Sequence, residues 1–315
     1  MKKANLGILF PGQGSQQVGM LQELQSVNPI VQATFTEASD HLGYDLWRLV
    51  QDNPDGKLDQ TEFTQPAILT ASVAMWRIVQ HTLGWIPAVL AGHSLGEYTA
   101  LVCANAISFP DAVKLVALRG RLMQAAVPPQ TGAMAAIVGL EDVAVNDLCV
   151  AQAHDEIVSC ANYNSPGQVV IAGHRAAVER VVAQAKLAGA KLAKVLPVSV
   201  PSHCALMENA AAAFTDAIYA VQLSTPTIPI VHNVDATSKQ DVSQIRLALI
   251  HQLNQPVLWV DVITTMHRLG VRSYLECGPG KVLTGLVKRI CPDDLAIALS
   301  SYTDYANLSA DLAVL

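Results

Sequence analysis

The chain has 315 residues, 51% of them hydrophobic and 15% charged, and a net charge of −6. That length suits one large domain or a domain carrying an insertion. The composition excludes a mostly disordered chain, and the acidic balance argues against a nucleic-acid binder, which needs a basic face. No uninterrupted apolar stretch reaches the roughly 18 residues that would suggest a membrane helix, so no membrane partner is expected.

The opening "MKKANLGILFPGQG" reads as a first strand entering a glycine-rich turn, and not as a secretion signal. Residues 65–84 read as a helix ending at Gly84, and "AVLAG" (88–92) as a buried strand. Helical patterns follow at 96–106 and 110–126. Strands alternating with helices predict a parallel sheet covered on both faces. The middle of the chain changes character. A strand at 132–139, a helix at 141–153, two strands joined by the turn 164–167, a helix at 175–189 and a strand at 191–200 give the order β-α-β-β-α-β. That is a ferredoxin-like pattern, so residues 127–199 are expected to form an inserted subdomain between 1–126 and 200–315. The α/β pattern resumes with a strand in "IPIVHNV", helices near 243–253 and 260–269, and strand, turn and helix in "RSYLECGPGKVLTGLVKRI".

Gly92-His93-Ser94-Leu95-Gly96 matches G-x-S-x-G between a strand and a helix. A sharp strand-to-helix turn leaves no room for side chains beside the serine, so glycines flank it and Oγ projects into the open. The alternative is a serine in an ordinary glycine-rich turn. A nucleophilic serine needs a base, and nine histidines compete. His93 adjoins the serine, where successive side chains diverge. His232, after a strand, remains possible. His203 in "VLPVSVPSHCALM" follows a strand end, where α/β sheets place their sites; a satisfied core histidine is the competing reading. "FPGQGSQ" lacks both phosphate-loop patterns, but the same geometry can aim a backbone N–H at an oxyanion.

In "DAVKLVALRGRLMQAA", Val116, Arg119 and Met123 share one helical stripe, and Leu115, Leu118 and Leu122 the adjacent one. Arg119 is thus a cation in an apolar face and needs a carboxylate. Glu97 or Asp111 could supply it as a structural salt bridge, or a ligand could. The cysteines at 103, 149, 160, 204, 277 and 291 form no CxxC pair; they fit a reduced, cytoplasmic setting and carry no metal signature.

Taken in order, "FPGQGSQ", "GHSLGEY", the arginine of "LRGRLMQ", "PVSVPSHCALM", "NVDA" and "GPGKVLTGL" resemble the malonyl-CoA:acyl carrier protein transacylases of bacterial type II fatty-acid synthesis, nearly end to end. The resemblance implies an α/β-hydrolase-like large domain with a ferredoxin-like insertion. It implies Ser94 as the malonyl-carrying nucleophile, His203 as its base and then acid, and Gln13 and Leu95 as the oxyanion N–H groups. Gln252 would orient His203 through its backbone carbonyl, and Arg119 would hold the malonyl carboxylate. Met123 and Ser202 would line the acyl pocket, and Asn162 and Asn164 would lie near the CoA arm.

The same resemblance implies no cofactor, malonyl-CoA being a substrate, and an acyl carrier protein as partner. Lys191, Lys194, Lys288 and Arg289 are the basic residues available to an acidic partner, with solvated faces as the plainer reading. Where the family carries Lys-Arg, this chain has Lys191-Leu192, one cation fewer for a CoA phosphate. The residue patterns alone also admit a thioesterase with the same elbow, a patatin-like lipase, or an inactive carrier-protein docking module.

Overall fold

A computed structural model describes residues 2–198 and 200–311. Strand β1 (Lys2–Phe10) runs into the first glycine turn. Helices α1 (Gln22–Val27), α2 (Pro29–Leu42), α3 (Leu46–Asp52) and α4 (Thr61–Leu83) follow, then β2 (Ile86–Gly92), α5 (Gly96–Cys103) and α6 (Phe109–Ala125). The second unit is β3 (Gly132–Val138), α7 (Asp142–Ala153), β4 (Val158–Ser165), β5 (Gln168–His174), α8 (Arg175–Leu187) and β6 (Leu192–Val195). The chain then returns through α9 (Glu208–Ala220), β7 (Ile230–Val231), α10 (Val242–His251), α11 (Trp259–Arg268), β8 (Ser273–Cys277), α12 (Val282–Ile290), β9 (Leu295–Leu299) and α13 (Tyr302–Asp311).

Two sheets result. The larger has the order β7-β2-β1-β8-β9, with every pair parallel. Its central strand β1 is buried from Leu6 to Phe10 without a break, as expected of a strand covered on both faces. The smaller has the order β4-β5-β3-β6 and is antiparallel throughout, the ferredoxin-like arrangement. The chain is thus α/β, with a parallel sheet and a separate antiparallel one.

Helix α4 is buried around most of its circumference, including Gln65, Pro66 and the run Ala67–Trp76. It packs against α2 and α6 and forms the centre of the main core. It begins at Thr61, four residues before the start expected from the sequence, because Pro66 sits within the helix and not at its first turn. Strand β6 stops at Val195, short of the expected 200, since Pro197 and Pro201 cannot donate to a ladder. Strand β7 is two residues long. The chain leaves the sheet after Val231, and His232 and Asn233 turn inward. Among the described residues, no helix is long and apolar enough to cross a membrane.

All strands of the larger sheet point the same way, so their C-terminal ends share one edge. There the turns after β1 and β2 meet. At the end of β8, the buried Glu276 accepts from Leu283 N (3.1 Å) and Thr284 N (2.7 Å), fixing the start of α12 beside that edge.

Candidate active site

Strand β2 ends at Gly92 and α5 starts at Gly96, leaving three residues for the reversal. A Cβ on Gly92 would run into the backbone of Gly96, and one on Gly96 into the carbonyl of Phe10. Ser94 takes the left-handed conformation, φ 50°, which costs a non-glycine residue roughly 1–3 kcal/mol and marks functional turns. Asn233 clamps the elbow. Its Oδ1 accepts from Ser94 N (2.7 Å), and its Nδ2 donates to Gly92 O (2.8 Å).

Ser94 Oγ lies 2.8 Å from His203 Nε2, and His203 Nδ1 lies 2.6 Å from the carbonyl oxygen of Gln252. A carbonyl can accept but not donate, so Nδ1 carries the proton and Nε2 is left to accept from the serine hydroxyl. Gln252 caps the C-terminus of α10, where the last carbonyls have no partner within the helix. The imidazole is 3% exposed. Burial first, and then the Arg119 charge, push its pKa down to about 3 against the contact with Gln252, which raises it. His203 is therefore neutral and able to accept a proton across the physiological range.

Arg119 is 1% exposed. Its guanidinium donates to Gln65 Oε1 and Gln252 Oε1, both at 2.9 Å, and makes a long contact of 3.4 Å to Ser94 Oγ. Nε is buried without a hydrogen-bond partner, and the group stacks over Tyr98 at 5.4 Å. Burial lowers its pKa while Tyr98 and Glu97 oppose that shift; an arginine stays charged nonetheless. The expected salt bridge within the protein does not form. Asp111, in the first turn of α6, accepts from the hydroxyl of the capping Ser108 at 2.7 Å and faces Lys114 at 3.7 Å. Glu97 is occupied by His232 Nδ1 (2.6 Å), Asn233 N (3.1 Å) and Gln252 Nε2 (2.7 Å). Neutral amides hold the cation in place and leave its charge to a ligand.

A cavity of about 280 Å³ opens over these groups. Gln13 and Leu95 line it, and neither backbone N–H finds a partner among the described residues. Met123 and Ser202 line it as well, Met123 buried and bonded through sulfur to Gln65 Nε2 at 3.6 Å. From the smaller sheet come Asn162 and Asn164; Asn164 Oδ1 meets His93 Nε2 at 2.9 Å. Every residue the sequence singled out for the site therefore borders the cavity, except Gln252, which lies beneath it. His232 is fully buried on Glu97 under the elbow, so it is not placed to serve Ser94. Cys204 is buried, with Sγ on Pro201 O.

Sequence reasoning missed Gln65, Asn233 and the hub role of Glu97. A lone glutamine or acid in a buried helix was the available signal; the partners stand 54 to 155 residues apart. The basic residues Lys191, Lys194, Lys288 and Arg289 are all exposed. Arg289 also ties α12 to the smaller sheet through Gln168 Oε1 at 2.6 Å.

The model of the acyl transferase domain matches residues 8–292. The chain belongs to the acyl transferase family. A malonyl CoA-acyl carrier protein transacylase of Salmonella typhimurium is 54% identical over 304 residues, 96% of this chain and 97% of that one. Among solved structures, an acyl carrier protein S-malonyltransferase from Vibrio cholerae is 53% identical with a TM-score of 0.93, covering 96% of this chain and 99% of its own. A malonyl-transacylase in complex with its type II PKS acyl-carrier protein is 49% identical with a TM-score of 0.96, covering 98% and 99%.

Proposed function

We propose that the chain transfers a malonyl group from malonyl-CoA to the phosphopantetheine thiol of an acyl carrier protein, through a malonyl ester on Ser94. The observation that carries this reading is Arg119: a buried guanidinium 3.4 Å from Ser94 Oγ, held by two neutral amides and with no carboxylate partner among the described residues. A planar fork beside the nucleophile suits an acyl group that ends in a carboxylate. The relatives named malonyl transacylases, one of them solved with its carrier protein, support the same donor and acceptor.

His203 Nε2 takes the Ser94 proton as Oγ attacks the thioester carbon. The N–H groups of Gln13 and Leu95 donate to the developing oxyanion, a contribution worth roughly 10²–10³ in rate per donor. The carbon–sulfur bond breaks, and the proton passes from His203 to the departing CoA sulfur. The carrier-protein thiol then attacks malonyl-Ser94, returning its own proton through His203. Two effects raise the basicity of His203 once substrate binds. The malonyl carboxylate offsets the Arg119 charge that depresses the imidazole, and the oxyanion adds a negative charge nearby. Asn162, Asn164, Met123 and Ser202 shape the pocket for the acyl group and the CoA arm. No cofactor takes part in these steps, and we place the reaction in the cytoplasm, in keeping with six free cysteines.

The test is a time course with malonyl-CoA and holo carrier protein. Malonyl should accumulate on the carrier with little free malonate. Steady release of malonate irrespective of the carrier would make the protein a thioesterase and overturn the proposal.

A further inference from the structure

A second cluster of reactive side chains lies at the opposite edge of the parallel sheet. His267 is in the last turn of α11, Cys291 caps α12, and Asp294 immediately precedes β9. Their donor atoms lie within 4.8 Å of one another, and His267 Nδ1 is 2.7 Å from Asp294 Oδ2. These positions sit at the N-terminal ends of β8 and β9, whereas Ser94 follows the C-terminal end of β2. The cluster is therefore separate from the acyl site.

Four observations distinguish it from an ordinary surface ion pair. The three donors come from three segments that neighbour one another only in the folded chain. The Asp294 side chain is 3% exposed, and His267 is its sole ion-pair partner among the described residues. Tyr274, fully buried on β8, has a hydroxyl without a hydrogen-bond partner. Finally, a hollow of about 270 Å³ lined by Thr264, His267, Cys291, Asp293 and Asp294 opens over the cluster, with room for water. Cys291 is also the one cysteine that is not buried.

We propose that His267 Nδ1, Cys291 Sγ and the Asp294 carboxylate bind a divalent transition-metal ion, zinc by the chemistry of the donors. A neutral imidazole, a thiolate and a carboxylate together balance a double positive charge, and this mixed set suits zinc better than calcium or magnesium, which prefer oxygen alone. Zinc bonds of roughly 2.0–2.3 Å place tetrahedral donors about 3.3–3.8 Å apart. The cluster needs to draw in at its widest pair and open slightly at His267–Asp294, movements within side-chain rotation. Binding displaces the Cys291 thiol proton to solvent. The His267 Nδ1 proton shared with Asp294 is exchanged through solvent for one on Nε2, which leaves the ring neutral with a free Nδ1 lone pair. Water from the hollow takes the fourth position. The charge of Arg272, which donates to His267 O at 2.7 Å, opposes the cation and limits its affinity. The ion would tie α11, α12 and the entry to β9 together, a structural role that leaves malonyl transfer untouched.

The experiment is a cobalt(II) titration of the reduced, full-length protein, with Cys291→Ser and His267→Gln beside the wild type. The wild type should bind one equivalent with an intense thiolate-to-cobalt absorption in the near ultraviolet. Zinc should bleach that band and shield Cys291 from alkylation. Cys291→Ser should lose the band while keeping malonyl transfer, and His267→Gln should bind at least about tenfold more weakly. The absence of a charge-transfer band in the wild type, or its persistence in Cys291→Ser, would overturn the proposal.

Discussion

Replacing Arg119 with alanine should reduce malonyl loading far more than acetyl loading. The guanidinium is 1% exposed, so its pair with a carboxylate forms out of water. Removing one partner of such a buried pair costs roughly 3–5 kcal/mol, and two charge-assisted hydrogen bonds at about 1.5–3 kcal/mol each span a similar range. At about 1.4 kcal/mol per tenfold, the expected fall in kcat/KM for malonyl-CoA is roughly 10²–10⁴. Acetyl-CoA has no carboxylate to lose, and its rate should change by less than about tenfold. Arg119→Lys should fall between, because an ammonium is one point charge and cannot meet both Gln65 and Gln252 while holding both oxygens of a ligand. Rapid-quench acylation with each labelled thioester measures the ratio directly. Thermal melts control for folding, since both amides lose their donor. Equal losses for the two substrates, or malonyl loading kept within about tenfold, would refute the reasoning.

The pH profile tests His203. With a free-enzyme pKa near 3 against the ordinary 6.5, kcat/KM for loading should hold through pH 5 and fall only in stronger acid; an acid limb near neutrality would contradict the stated burial and charge effects. The sign for stability follows from the same shift. The unfolded chain binds this proton from about pH 6.5 downward while the native state resists until about 3, so His203 costs stability progressively as pH falls across that window. Glu97→Gln should destabilise the fold by about 3–5 kcal/mol in denaturant titrations, because its new amide protons face the donors of Gln252 and His232. Asn233→Ala frees Ser94 N and Gly92 O, and should lower stability by about 1–3 kcal/mol and depress kcat more than it alters KM.

The elbow was legible in the sequence because its requirement is local: two glycines where no Cβ fits, a strand before and a helix after. Arg119 was legible for a related reason, a charge interrupting an apolar stripe of one helix. The alternation of strands and helices gave the parallel sheet and the ferredoxin-like order of the smaller one. The environment of Arg119 was not legible. The residues that hold it, Gln65 and Gln252, come from α4 and α10, and neither stands out by periodicity or motif. Nor could spacing reveal that Glu97 would be consumed by His232, Asn233 and Gln252, which turned an expected salt bridge into an unpaired cation. Strand β7 read as longer than it is because "IPIVHNV" is apolar enough for a full strand; its last residues serve the elbow instead of the ladder. Cys291, His267 and Asp294 carry no signature spacing, and only the packing of α11, α12 and β9 brings them together.

The central claim is that Ser94 carries the malonyl group while His203 serves it. Intact-protein mass after brief exposure to malonyl-CoA, followed by peptide mapping, tests this most directly. An adduct of malonyl mass on Ser94, absent from Ser94→Ala and discharged by a carrier-protein thiol, is the predicted result. An adduct that persists in Ser94→Ala, or efficient transfer with no acyl-enzyme at any time, would contradict the account.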